Sequence, residues 1–151
     1  MASSFPQEIN NISGSWNIGG STTFTNPLNN TETLNIPLTN LPHTAKAYAI
    51  SITITQNGPM PNKSFYLSIG TGNYRPISGN YLRDIGGTQT LCSPLLIVST
   101  SPYGIVGIGW SAASGFESFA SDGTTNILPV KLYGEYYSGA TATGIIELLY
   151  M

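Results

Sequence analysis

Tyr48, Ile50, Ile52 and Ile54 alternate through residues 46–56, with Ala47, Ala49, Ser51, Thr53 and Thr55 between them. A period of two places the first set on one face of a strand and the second on the other. One face meets a core and the other meets water or small side chains, the pattern of a half-buried antiparallel strand. Gln56-Asn57-Gly58-Pro59 ends it, because Asn-Gly supports positive φ and proline stops pairing. Residues 64–69 repeat the pattern, with Phe65, Leu67 and Ile69 directed inward.

Further strands are expected at 16–18, 22–25, 33–38, 94–99, 103–110, 127–137 and 141–150. Leu95, Leu96, Ile97 and Val98 form an uninterrupted apolar run, which reads as buried on both faces. Gly104, Gly107 and Gly109 are interleaved with Ile105, Val106 and Ile108, which predicts a bulge or a close backbone approach. The last two stretches read as a hairpin turning at Ser138-Gly139. Pro129 cannot donate to a ladder, so its strand is an edge there or its amide position faces outward. Glycine, proline and β-formers break every helical period. The expected fold is all-β, an antiparallel sandwich or jelly roll over residues 26–151. Residues 1–25, rich in Asn and Gly, are expected to form a separate connecting segment, with Met1 to Ser3 open to being an expression scar.

Charge changes the picture. Only 12 of 151 residues are charged, five basic and seven acidic, for a net charge of −2. Ordinary soluble chains carry about 25%. Either Asn, Thr, Ser and Gly supply the solvation, or surface is hidden in an oligomer; both are expected. Lys46, Lys63, Arg75, Arg83 and Lys131 are scattered, so no basic face exists to neutralise phosphates, and nucleic acid is excluded as a partner. No apolar run approaches the ~20 residues of a spanning helix, and no membrane insertion is expected. Met1-Ala2-Ser3-Ser4 has neither the basic nor the apolar region of a secretory leader.

Catalytic chemistry finds little purchase. Cys92 and His43 are each the sole residue of their type, so neither a disulfide nor a multi-histidine metal site can form within one chain. As a nucleophile and base they would need surroundings that lower the thiol pKa, and the neighbourhood of Cys92 is apolar. The acids Glu8, Glu32, Asp84, Glu117, Asp122, Glu135 and Glu147 show no spacing that sets two on one strand face, as glycoside hydrolysis requires. Glu147, among Ile145, Ile146, Leu148 and Leu149, reads either as a charge guarding a sheet edge or as a partner for Lys131 or Arg83 at a subunit contact. Gly70-Thr71-Gly72 and the 104–109 glycines open no helix and so make no phosphate cradle. Asn11, Asn29 and Asn62 begin glycosylation sequons, which matter only in a secretory pathway. No catalytic residue, metal or cofactor is assigned, and no enzymatic activity is expected.

Recognition chemistry is better supplied. Nine tyrosines and loops rich in Asn, Thr and Ser supply rigid amphipathic rings beside short hydrogen-bonding groups. The densest stretch, 71–83, holds Tyr74, Arg75, Tyr81 and Arg83. These four are the candidate ligand residues: an arginine clamps a carboxylate, as in sialic acid, and a tyrosine lies against the sugar ring. The competing reading pairs Arg75 and Arg83 with Asp84 and Glu117 and uses the tyrosines to plug the sandwich ends. The loop from Trp110 to Phe116 is a second candidate, although Trp110 also suits a core position.

The uncharged Asn/Thr/Gly-rich β chain and its terminal hydrophobic strand, Thr141 to Tyr150, resemble the carboxy-terminal heads of adenovirus-type attachment fibres. The shaft–head junction motif of the mammalian fibres is missing, so no residue role is carried over. The resemblance implies a homotrimeric antiparallel β-sandwich on a virion surface, binding a host cell-surface protein or glycan, often a sialylated one. Residues 127–137 and 139–150 are also similar to the closing hairpin of chaperone–usher pilins. Those subunits usually pair a cysteine near their start, whereas Cys92 is single and late. A pilin-like subunit or a small secreted lectin, extracellular or at a cell surface, is the alternative.

Overall fold

A computed structural model describes residues 2–3, 16–25, 31–38, 42, 44–45, 47–57, 65–70, 74–76, 87–93, 95–102, 104–110, 115–118, 127–134 and 141–151. They form twelve strands and, among the described residues, no helix. In chain order these are β1 (Ala2–Ser3), β2 (Trp16–Thr25), β3 (Thr31–Pro37), β4 (Tyr48–Asn57), β5 (Phe65–Ile69) and β6 (Arg75–Pro76). Then come β7 (Gly87–Cys92), β8 (Ile97–Ser101), β9 (Gly104–Gly109), β10 (Phe116–Ser118), β11 (Ile127–Gly134) and β12 (Thr141–Tyr150). All pairings are antiparallel, in a five-stranded sheet β1-β2-β12-β4-β7, a four-stranded sheet β3-β11-β5-β6 and a three-stranded sheet β10-β9-β8.

The alternation in β4 directs the packing. Tyr48, Ile50, Ile52 and Ile54 are buried with Phe24, Leu91, Ile146 and Leu148 of the same sheet. They meet Leu34, Ile36, Leu67, Ile69, Leu128, Val130 and Leu132 from the four-stranded sheet. Each such side chain contributes about 1.5–3 kcal/mol on full burial. The three-stranded sheet adds Ile108, with Val98, Ile105 and Trp110 packed against the same core. This is a β-sandwich. Its two main sheets touch at β2 and β3, where a Cβ on Gly20 would collide with the Pro37 carbonyl.

β2 runs unbroken from Trp16 to Thr25 along β12, so this part of the 1–25 segment is built into the sandwich. The register of β2 against β12 shifts between Leu148 and Leu149. That bulge turns Trp16 and Ile18 away from the main core, because one extra residue reverses the side-chain alternation beyond it. Trp16 packs there with Ala47, Ala49, Cys92 and Leu149 in a second, smaller cluster on the outer face.

Three expectations are overturned. The 127–137 and 141–150 stretches do not form a hairpin: β11 pairs with β3 and β5, whereas β12 pairs with β2 and β4 in the other sheet. Both strands are apolar on one face, and the sandwich satisfies them separately across its core. Leu95 and Ile97 are 38% and 49% exposed, so the 94–99 run is not buried on both faces. The chain follows β4 as far as Leu96, whose N–H donates to the Tyr48 carbonyl at 2.8 Å, and then leaves for the rim of the three-stranded sheet. Glu147 guards no edge, since β12 lies between β2 and β4.

Pro129 fits its expected constraint. Pairing of β11 with β5 begins at Val130, and the Pro129 carbonyl accepts the Gly70 N–H at 3.0 Å where β5 has ended in a turn. Gly70 takes φ of 62° there, a conformation suited to glycine.

Candidate tyrosine face

The outer face of the four-stranded sheet is set by the same alternation that builds the core. Leu132 and Val130 point inward, so Lys131 and Tyr133 point outward; Leu67 points inward, so Tyr66 points outward. Register then makes Tyr133 the neighbour of Thr31 on one side and Tyr66 on the other. Lys131 lies between Thr33 and Ser68 in the next outward row. The Tyr66 and Tyr133 rings are 6.2 Å apart, centroid to centroid, and tilted at 46°. That is within the range at which offset aromatic pairs attract.

Tyr74 joins this face from the segment entering β6. Its hydroxyl lies 3.0 Å from Thr31 Oγ1, and the residue remains 40% exposed. Three phenols, a threonine hydroxyl and the exposed Lys131 ammonium thus gather on one sheet face. Glu32, opposite Leu132, belongs to the alternate row, and its carboxylate accepts the Thr25 N–H at 3.1 Å.

Of the four candidates taken from the 71–83 stretch, Tyr74 is placed on this face. Arg75 is a backbone partner of Leu67 in β6, and its side chain lies outside the described residues, as do Tyr81 and Arg83. His43 also lies outside them. Cys92 is a fully buried thiol in the Trp16 cluster. Trp110 packs against the main core with its indole over Gly115, where φ is 78°. Glu117 sets its carboxylate beside Gly70.

Sequence reasoning did not place Tyr66, Lys131, Tyr133 or Thr31 among the candidate ligand residues. Their outward direction was readable from alternation with Leu67, Val130 and Leu132. Their adjacency was not, because it depends on which strands pair.

The face carries groups suited to binding. Tyrosine rings present flat apolar surfaces with a polar rim, threonine hydroxyls donate and accept, and an ammonium attracts a carboxylate. No known protein family matches the sequence, and no curated protein or solved structure matches it.

Proposed function

We propose that this chain is a non-enzymatic receptor-binding head of the viral attachment-fibre kind, displayed as a homotrimer on a virion surface. It engages a host cell-surface glycan, a sialylated one foremost, through Tyr66, Tyr74, Tyr133 and Lys131. The observation that carries the reading is the Tyr74–Thr31 contact. It brings a third phenol onto the face where Tyr66 and Tyr133 already pair beside a cation. The sugar ring lies against the phenols, and its carboxylate approaches the Lys131 ammonium. Trimeric display multiplies a weak single-site affinity by holding three sites on one particle.

The decisive experiment is a glycan array followed by titration of the best glycan against Tyr133→Ala and Lys131→Gln. Binding to sialylated glycans is expected, with about tenfold or greater weakening in each variant and sensitivity to salt. Binding unchanged by both variants, or no glycan binding, overturns the reading. A monomeric lectin shares the site and differs in mass by light scattering. The pilin-like alternative has lost its closing hairpin, since β11 and β12 lie in different sheets.

A further inference from the structure

The outer face of the five-stranded sheet lies on the opposite side of the sandwich from the tyrosines. One row across it reads Thr23, Ile145, Thr53 and Thr90, and the adjacent row is threonine on all four strands. Ile145 is 44% exposed although β12 has a neighbour on each side. The other exposed isoleucines among the described residues, Ile97 and Ile127, are the first residues of β8 and β11, at strand ends with fewer neighbours. Ile145 has no such excuse.

Four of the surrounding hydroxyls are already paired between β4 and β7. Thr53 and Thr90 are 3.3 Å apart at Oγ1, and Thr55 and Thr88 are 3.0 Å apart. Covering them leaves these hydroxyls with partners, which removes the main penalty for burying polar groups. Among the described residues, the only charge on this face is Glu147, half-buried, with Ser51 Oγ 3.5 Å from its carboxylate.

We infer that a second copy of this chain covers this face, so that assembly uses one outer surface of the sandwich and receptor binding the other. The inference rests on the assembly proposed above and adds which surface forms it. The part of this face not already covered by the Trp16 cluster, about residues 21–25, 141–147, 51–57 and 87–91 on strands about 4.8 Å apart, outlines roughly 400 Å² per copy, or about 800 Å² for two. That is the size of a weak, reversible contact, so copies associate in the micromolar range. The occupant is argued from charge. An ordinary protein surface would bring charged groups to be stripped of water against hydroxyls and methyls. This chain has 12 charged residues on a surface of 7355 Å², so its own copies are the matched partner.

The test is sedimentation velocity with light scattering on the full chain across the micromolar range, comparing wild type with Ile145→Lys, Thr53→Lys and Ile127→Lys. Wild type is expected to be oligomeric, and Ile127→Lys equally so. Ile145→Lys and Thr53→Lys are expected to sediment as folded 16.0 kDa monomers, their self-association weakened at least about a hundredfold. Circular dichroism checks folding, and Thr53→Lys carries the test if Ile145→Lys does not fold. An oligomer that survives both substitutions, or dissociates with Ile127→Lys, overturns this face while leaving assembly standing. A wild type that is monomeric throughout overturns assembly itself.

Discussion

Ser93 and Ile50 bond to each other twice: the Ile50 N–H donates to Ser93 Oγ at 2.9 Å, and the Ser93 N–H donates to the Ile50 carbonyl at 2.8 Å. Both residues are fully buried. The serine side chain thus does a carbonyl's work at the point where the chain prepares to leave β4. Ser93→Ala is expected to leave the Ile50 N–H without that acceptor and destabilise the fold by about 1–3 kcal/mol. Urea unfolding should show a lower midpoint at unchanged slope. A shift below ~0.5 kcal/mol would show that the bond is replaced.

Gly20 tests the seam between the sheets. Any Cβ there meets the Pro37 carbonyl, which is backbone and cannot swing aside. Gly20→Ala should destabilise by at least about 2–3 kcal/mol, although alanine normally favours a folded chain over glycine. Thermal melting compared with Ser21→Ala, an exposed neighbour, reads the difference.

Tyr48 supplies a pH dependence. Its ring is buried, its hydroxyl donates to the Pro42 carbonyl, and burial pushes its pKa above the usual 10.0, with a backbone hydrogen bond at Ala45 pulling the other way. The unfolded chain therefore loses this proton first as pH rises. The stabilisation is complete below pH 10 and declines as pH climbs from there towards the folded-state pKa. Tyr48→Phe should be less stable at neutral pH and lack this component of the alkaline decline, as read by unfolding at several pH values. An alkaline slope identical to wild type would refute the assignment.

Glu147 bears on assembly. Covering its half-buried carboxylate with a second copy removes water from an ionised group. Glu147→Gln should tighten self-association by about fivefold or more, roughly 1 kcal/mol, in sedimentation equilibrium. Weaker association would mean that the carboxylate meets a donor on the neighbouring copy.

The parts legible in the sequence were those that a single strand decides. The alternation of Tyr48, Ile50, Ile52 and Ile54 specified both the strand and its buried face, and Leu67, Ile69, Val130 and Leu132 did the same on the facing sheet. What depends on partners was misread. Glu147 resembles an edge guard until β2 and β4 are seen on either side of it, and β11 and β12 resemble a hairpin until the core is seen between them. Leu95 and Ile97 belong to a run with no polar residue to mark its exposed side. Tyr74 was identified from composition, whereas Tyr66 and Tyr133 became neighbours only through register.

The central place of β12 also governs how the chain can be made. Ser51 and Glu147 sit side by side yet are 96 positions apart, so β2 and β4 leave the ribosome long before the strand that joins them. Until then the nascent protein holds an open slot with two unsatisfied backbone edges. The five-stranded sheet therefore closes only once residues 141–150 have emerged and paired with both edges.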